Sequence, residues 1–231
     1  MIPELNNIDA IIFDFDGTLY DYKDFSRNLV KGMPFFAFLM YKERVVHNGL
    51  KGQSFDSVNA YNDVYFGAIA KKSIFSRKFI ENWFYKKYMK NFAKVLRKKY
   101  KARENIIEVF DALHKKNIKT SILSDYPNVK ERMQALGVTA ESIHCEDTCF
   151  STEQLFCFKP AAQMFIKVAD VLKVSPERVL VVGDRNDTDG EGARLSGMKF
   201  VQISTYKNGT DKDTVNHPFL SWEEFSDFIL Q

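Results

Sequence analysis

Near its start the chain reads IDAIIFDFDGTL, from Ile8 to Leu19, where an apolar run with β-branched residues ends in two aspartates and a glycine. A run that is apolar throughout, rather than alternating, predicts a buried strand of a parallel sheet over residues 8–15. Side chains two positions apart in a strand point to the same face, so Asp14 and Asp16 can converge on one ligand. These carboxylates repel each other, and a bound divalent cation is the natural means of holding both near one point.

Beyond Glu104 the sequence alternates between helix and strand patterns, which is typical of an α/β sheet domain. We predict helices near residues 105–116, 128–136, 161–173, 190–197 and 222–230, strands at 118–124, 179–182 and 200–203, and a weaker strand at 142–145 or 148–150. The expected fold class is therefore α/β, with a Rossmann-like parallel sheet core and helices on both faces.

The segment 21–104 differs from the rest of the chain in charge and in periodicity. It contains 19 Lys or Arg against 7 Asp or Glu, a net charge of +12, whereas the remainder has 14 against 23, a net charge of −9. Its apolar residues recur at helical spacing, so we predict a helical insertion over 21–104 within a core domain formed by 1–20 and 105–231. The apolar stretch from Pro34 to Met40 is too short to cross a bilayer, and we expect it to form a buried helix of this insertion.

A second acidic cluster, GDRNDTD at residues 183–189, follows the clearest buried strand of the chain. In an open parallel sheet the carboxyl ends of the strands form the ligand crevice, so this cluster should meet Asp14 and Asp16 there. The cluster offers hard oxygen ligands and no neighbouring His or Cys, which favours Mg²⁺ over Zn²⁺.

Four further residues complete a candidate phosphate site at the same edge. Gly17 permits a tight turn after the first strand, and Thr18 then offers a hydroxyl and backbone N–H groups to an anion. Ser124 ends the second predicted strand, and Lys159 precedes the helix after the third crossover. A hydroxyl, an ammonium group and a metal around one point describe a phosphate-binding site.

In order along the chain, the motif from Phe13 to Leu19, then Ser124, Lys159 and residues 183–189, resemble the four motifs of the haloacid dehalogenase-like (HAD) superfamily. The resemblance covers the sheet domain from about Ile8 to Ile203. The insertion between the first two motifs resembles the helical type 1 cap domain of that superfamily.

The resemblance implies a phosphatase that hydrolyses a small phosphate monoester with Mg²⁺ as cofactor. Asp14 would attack phosphorus and form an aspartyl-phosphate, and Mg²⁺ would bind the carboxylates of Asp14 and Asp184 and the backbone carbonyl of Asp16. Asp16 would act as general acid and then as general base, which requires surroundings that let it hold a proton. Ser124 and Lys159 would hold the phosphoryl oxygens.

The second metal-binding acid of the fourth motif is the point where this sequence departs from the superfamily pattern. That acid normally follows the first by four or five positions, and here the fourth position is Thr188. We therefore assign the metal ligand to Asp189. Asp187 remains the alternative, with a surface or secondary carboxylate as its ordinary explanation.

Other functions stay open at this stage. The sequence of the insertion does not exclude a phosphomutase or a phosphonate hydrolase, whereas a dehalogenase has no need of Asp16, because a halide leaves without a proton. From a different class, the chain could be a catalytically silent interaction protein that keeps the fold. The cluster of mutually repelling carboxylates argues against that alternative.

Composition and charge limit the expected location and binding partners of the protein. Neither a signal-peptide pattern nor a membrane span of roughly 20 apolar residues is present in the sequence, so we expect a cytoplasmic protein without a membrane partner. Cys145, Cys149 and Cys157 match no zinc-binding spacing and are expected to be free thiols. The net charge of +3 and the lack of a binding motif argue against nucleic acid. The expected partner is a small anionic phosphorylated substrate, and the sequence does not indicate an oligomeric state.

Overall fold

The computed structural model describes residues 4–204 and 217–231, and its centre is a six-stranded parallel sheet. The strands are β1 (Ala10–Asp14), β2 (Lys119–Ser124), β3 (Cys149–Ser151), β4 (Val179–Gly183), β5 (Lys199–Ile203) and β6 (Phe219–Leu220). Their order across the sheet is β3-β2-β1-β4-β5-β6. The strands β2 and β3 are added on one side of β1, and β4, β5 and β6 are added on its other side. The strand order therefore reverses at β1, which makes it a topological switch point.

Register brings the carboxyl ends of the central strands to one level. Asp14 in β1 is opposite Leu123 in β2, one residue before that strand ends at Ser124. Phe13 is opposite Val182 in β4, which ends at the next residue. Every residue of β1 and β4 is buried, as their uninterrupted apolar patterns predict for central parallel strands.

Helices cover both faces of the sheet, and alternate residues of β1 contact the two layers. Ile11 and Phe13 belong to the core that includes α6 (Ile106–Lys115) and α11 (Trp222–Leu230). Ala10 and Ile12 belong to the opposite core, which contains α9 (Ala162–Leu172). This two-residue period is the expected geometry of a strand buried on both sides. The remaining helices of the sheet domain are α7 (Val129–Ala135), α8 (Thr152–Leu155) and α10 (Glu191–Leu195).

Between β1 and β2, every regular element of residues 21–104 is helical. The helices are α1 (Phe25–Gly32), α2 (Ala37–Gly49), α3 (Val58–Lys71), α4 (Arg77–Trp83) and α5 (Met89–Lys99). A π-helical turn over Phe84–Tyr88 joins α4 to α5. Antiparallel bridges from Tyr20 to Ala102 and from Ser54 to Cys157 connect this segment to the rest of the chain.

The structure corrects the expectation of a buried helix from Pro34 to Met40. A 3₁₀ turn occupies Pro34–Phe36, and α2 begins only at Ala37. Leu39 and Met40 are buried, but Phe35 is 95% exposed and Phe38 is 56% exposed. The apolar run exceeds what one face of a helix can bury, so the side chains on its outer face contact solvent.

The predicted α/β sheet with helices on both faces is confirmed, and the weaker strand lies at the second of its two proposed positions. The two-residue strand β6 was not predicted, because its sequence carries no strand pattern. Parts of the predicted core domain, residues 1–3 and 205–216, lie outside the described residues. Within the described residues, no helix is both long enough and apolar enough to cross a membrane. The three cysteines are buried free thiols.

Candidate active site

Five of the predicted residues converge at the carboxyl edge of the central strands. Asp14 ends β1, Ser124 ends β2 and Asp184 directly follows β4. Lys159 lies before α9, and Asp189 lies in the π-helical turn that leads into α10. In a parallel sheet the crossover connections bring the carboxyl ends of all strands to the same edge. Residues that are distant in sequence therefore meet there.

Three carboxylates form the centre of the site, and we call Asp14, Asp184 and Asp189 the carboxylate cluster. Each offers an oxygen atom, and these atoms all lie within 4.8 Å of one another. Asp14 and Asp189 are almost fully buried. Gly17, with φ of +96°, allows the chain to turn sharply, and a Cβ there would collide with the Asp184 carboxylate. The glycine after the aspartates is thus needed both for the turn and for this close approach.

Lys159 is the cation that the structure places within the carboxylate cluster. Its Nζ lies 2.6 Å from Asp14 Oδ1 and 2.8 Å from Asp189 Oδ1, and it also donates to the carbonyl of Leu123 at 2.9 Å. Burial lowers the pKa of Lys159, but the carboxylates of Asp14 and Asp189 outweigh it and raise that pKa above its ordinary value. Lys159 therefore stays charged.

One ammonium group does not neutralise the carboxylate cluster. Burial raises the pKa of Asp14 to about 7; Lys159 opposes this shift, and the neighbouring carboxylates of Asp189 and Asp16 add to it. Burial also raises the pKa of Asp184 well above its ordinary value, and the carboxylates of Asp14 and Asp189 add to that shift. Buried acids in mutual repulsion fit a divalent cation, and their hard oxygen ligands suit Mg²⁺.

These pKa shifts predict that pH changes two quantities in opposite directions: the stability of the metal-free protein and the stabilisation that Mg²⁺ adds. In chelator, the free energy of unfolding should fall as pH rises from about 4 to about 7, because folded Asp14 retains a proton that the unfolded chain releases near its ordinary pKa of 3.8. Added Mg²⁺ should stabilise the protein more at high pH, since the metal competes with protons for the carboxylates.

Denaturant unfolding at several pH values, with Mg²⁺ or with chelator, measures both effects. The Asp14→Asn variant is the matched control, and its stability in chelator should fall less over the same pH range. An equal Mg²⁺ effect at low and high pH would contradict the assignment of these acids as metal ligands.

Arg132, which was not predicted from the sequence, is completely buried on α7 and forms an ion pair with Asp16. Its Nη1 lies 3.0 and 2.8 Å from the two carboxylate oxygens of Asp16, and its guanidinium stacks on the rings of Phe15 and Phe92 at 4.3 and 4.9 Å. The available signal was an arginine at position 132 beside Met133, on the face of the helix that should be apolar.

Hydrogen-bond donors surround the side chain of Asp16. Arg132 donates two bonds to its carboxylate, and the Tyr20 hydroxyl donates a third at 2.7 Å. These hydrogen bonds fix the orientation of the Asp16 carboxylate.

Thr18 and Ser124 are buried and bonded to the two aspartates of the first motif. The Thr18 hydroxyl donates to Asp14 Oδ2 at 3.1 Å. Ser124 Oγ donates to Asp16 Oδ2 at 3.4 Å and accepts from Arg132 and from the backbone N–H of Tyr126. Both hydroxyls thus orient carboxylates in this structure, and their predicted contact with phosphate remains a prediction.

Asp187, the alternative metal ligand, lies outside the carboxylate cluster. Its carboxylate is paired with Lys51 at 2.5 Å and with Arg185 at 2.8 Å, and 57% of its side chain is exposed. Partial burial acts to raise the pKa of Asp187, but the hydrogen bonds and charges of Arg185 and Lys51 together outweigh it and lower that pKa. The ion pair with Lys51 connects the sheet domain to the turn that follows α2.

A cavity of about 270 Å³ opens over the carboxylate cluster. The loops after the strands line one side of it, with the carboxylate cluster, Asp16 and Asp125. The helical segment lines the other side, with Tyr22 and three residues of α2. The cavity is thus a crevice between the sheet edge and the helical segment, with the acidic residues on the sheet side.

Comparison with known proteins agrees with this architecture. The sequence model of a hydrolase family, described as haloacid dehalogenase-like hydrolase, matches residues 8–197. Among curated proteins, none matches the sequence.

Several solved structures are similar over almost the whole chain. A predicted phosphoglycolate phosphatase from Haemophilus somnus 129pt has a TM-score of 0.64 at 16% identity and covers 96% of this chain and 97% of its own. CbbY from Rhodobacter sphaeroides, solved in complex with phosphate, has a TM-score of 0.64 at 18% identity, with coverages of 92% and 93%. A dehalogenase solved with an intermediate complex has a TM-score of 0.58 at 18% identity, with coverages of 97% and 98%. At these identities the similarity shows the fold alone.

Proposed function

The chain belongs to the haloacid dehalogenase-like hydrolases, and on that premise we propose that it is a Mg²⁺-dependent phosphatase of a small phosphate monoester. The observation that carries the proposal is the buried carboxylate cluster with Lys159 in contact with Asp14, because this arrangement combines a nucleophile, a metal site and a cation for phosphoryl oxygens. Asp16 is a further carboxyl group beside that cluster. Its presence favours a phosphate ester over a halogenated compound as the substrate, because an alcohol leaving group needs a proton.

In the proposed reaction Asp14 is the nucleophile. One of its carboxylate oxygens forms a bond to phosphorus as the bond from phosphorus to the ester oxygen breaks. Thr18 and Lys159 orient this carboxylate through their bonds to its two oxygens. Lys159, together with Ser124, then holds the phosphoryl oxygens as negative charge develops on them.

Asp16 moves the protons in both steps. In its protonated form it gives a proton to the leaving alkoxide, and the resulting carboxylate takes a proton from the water that attacks the aspartyl-phosphate. Phosphate leaves and Asp14 is restored. Arg132 and Tyr20 support both steps, because their hydrogen bonds hold the Asp16 side chain in position.

Mg²⁺ would be held by the carboxylates of Asp14 and Asp184 and the backbone carbonyl of Asp16, with Asp189 as the further acid. When bound, it supplies positive charge that offsets the charge developing on the transferred phosphoryl group. The fit rests on the raised pKa values of the buried acids and on their all-oxygen donor set.

We also propose that residues 21–104 form a cap domain over a core domain of residues 1–20 and 105–231. The support is that Tyr22 and the helix α2 of this segment line the same crevice as the carboxylate cluster. A closed crevice would exclude water other than the attacking molecule. A cytoplasmic location is proposed as well, since the three buried cysteines are free thiols, which fits a reducing compartment.

The test is release of inorganic phosphate from an aryl phosphate. The protein should release phosphate with Mg²⁺ and lose that activity in chelator. The Asp184→Asn variant should need a Mg²⁺ concentration at least about tenfold higher, because one ligand charge is lost. Asp187→Asn, which removes a similar charge outside the carboxylate cluster, is the control and should keep the normal requirement.

Three outcomes would contradict the proposal. Phosphate release that is unchanged in chelator would exclude the metal. Halide release from a haloacid without phosphate release would indicate a dehalogenase, and conversion of a sugar phosphate to its isomer without net release would indicate a mutase.

A further inference from the structure

The helix α2 presents three polar side chains to the crevice, and the proposed reaction uses none of them. Arg44, His47 and Asn48 are spaced three and four positions apart, so they lie on one face of the helix. All three line the same cavity as Asp14 and Asp184. This polar face of α2 therefore lies across the crevice from the carboxylate cluster.

His47 is the residue of this face whose hydrogen bonding is incomplete within the described part of the chain. The residue is 9% exposed, and its ring stacks on Tyr126 with a centroid distance of 5.5 Å and an interplanar angle of 16°. Its Nε2 atom is buried and has no hydrogen-bond partner among the described residues. A buried polar atom without a partner destabilises the protein, and a ligand atom in the crevice would supply the missing bond.

Arg44 adds a positive charge one turn before His47. Its guanidinium donates to Ser26 Oγ at 3.2 Å and also bonds to Tyr22. A guanidinium has five N–H donors in a fixed fork, more than these two hydroxyls accept. Arg44 can therefore bind two oxygens of a carboxylate or a phosphate group.

The two sides of the crevice differ in charge. On the sheet side, among the residues that the structure describes, the lining contains the carboxylate cluster, Asp16 and Asp125, five acids against the one cation Arg185, whose guanidinium is paired with Asp187. On the α2 side it consists of a guanidinium, an imidazole and an amide, together with Tyr22. A phosphate bound with Mg²⁺ belongs to the first side, so the second side suits another anionic group of the same molecule.

We infer that Arg44, His47 and Asn48 form a subsite for a second anionic group, a carboxylate or a second phosphate, on the alcohol part of the substrate. The inference rests on the proposed phosphatase function and specifies its substrate class. A cavity of about 270 Å³ limits the class to small esters, since it lies below the usual 300–1,000 Å³ range of pockets for drug-sized ligands.

The test compares phosphoglycolate with ethyl phosphate, which have the same phosphoester and differ in a terminal carboxylate or methyl group. The protein should prefer phosphoglycolate in kcat/KM. The Arg44→Met variant should lower kcat/KM for phosphoglycolate by about 10- to 100-fold and change that for ethyl phosphate little, because only the first substrate loses a charged hydrogen bond. Ethylene glycol bisphosphate, in a third arm, distinguishes a second phosphate from a carboxylate.

Two further variants keep the test specific. His47→Phe retains the stacking on Tyr126 but removes the ring nitrogens, and it should also impair the anionic substrates selectively. Lys42→Met removes a cation from the same helix whose Nζ lies 4.8 Å from the Phe38 ring centroid, and it should have no selective effect. Equal hydrolysis of the charged and uncharged esters by the unmodified protein would overturn the subsite and leave the phosphatase function intact. Failure to hydrolyse any of these esters would instead count against the phosphatase function itself.

Discussion

Replacing Asp14 by Asn should reduce phosphate release from an aryl phosphate by a factor of about 10³ or more. The amide keeps the shape of the side chain but lacks the negative charge needed to attack phosphorus. Asp14 lies at the end of β1, held by Thr18 at 3.1 Å and by Lys159 at 2.6 Å, so little else in the site can replace it. Initial rates at saturating Mg²⁺ measure the effect.

Asp187→Asn is the matched control for this variant, because it makes the same chemical change on an exposed carboxylate beside the site. We expect its rate to stay within a few-fold of the original. The Asp14→Asn variant should also unfold cooperatively in chelator, since it removes one of three mutually repelling buried acids. A folded Asp14→Asn variant with full turnover would exclude Asp14 as the nucleophile.

Replacing Arg132 by Met should lower the free energy of unfolding by about 3–5 kcal/mol, because a buried charge pair is broken and Asp16 loses its cation. For a chain of this length that corresponds to a fall in Tm of roughly 6–20 °C. The side chain also donates to the carbonyls of Tyr126 and Pro127, at 2.8 and 3.2 Å, and these acceptors lose their donor. Thermal unfolding in the presence of Mg²⁺ measures the change.

Activity should fall in the same variant, even below its melting temperature, because Asp16 is no longer fixed beside the nucleophile. Arg132→Lys should give an intermediate loss, since an ammonium keeps the charge but cannot form the two-pronged contact. Lys130→Met, on the exposed face of the same helix, is the control and should leave both Tm and rate nearly unchanged. A normal Tm and rate in Arg132→Met would show that the buried pair with Asp16 does not form.

Features set by local pattern were predictable from the sequence. The apolar runs that form β1 and β4 are buried on both faces, and the acids that follow them must lie at the carboxyl edge of a parallel sheet. The positions of Asp14 and Asp184 relative to each other follow from this rule without knowledge of any contact. Their proximity to Lys159 and Asp189 was expected from the order of the motifs, and the structure brings all four together.

Features set by packing between distant segments were not predictable in the same way. Arg132 is bound to Asp16 from a helix more than a hundred residues away, and only the tertiary structure reveals why an arginine occupies a buried face. The same holds for Arg44 and His47, whose side of the crevice depends on how α2 lies over the sheet. Phe35 is exposed because hydrophobicity alone does not determine which residues of an apolar run find a core.

The role of Asp14 can be observed most directly by acid quench of the protein during turnover of an aryl phosphate, followed by mass spectrometry of its peptides. An aspartyl-phosphate mechanism predicts a phosphoryl group on the peptide that contains Asp14, formed only with Mg²⁺. It should accumulate in Asp16→Asn, because an aryloxide leaves without a proton from Asp16, whereas the water of the second step is no longer activated. A phosphoryl group on another residue, or turnover of Asp16→Asn at the normal rate with no adduct at any time, would contradict it.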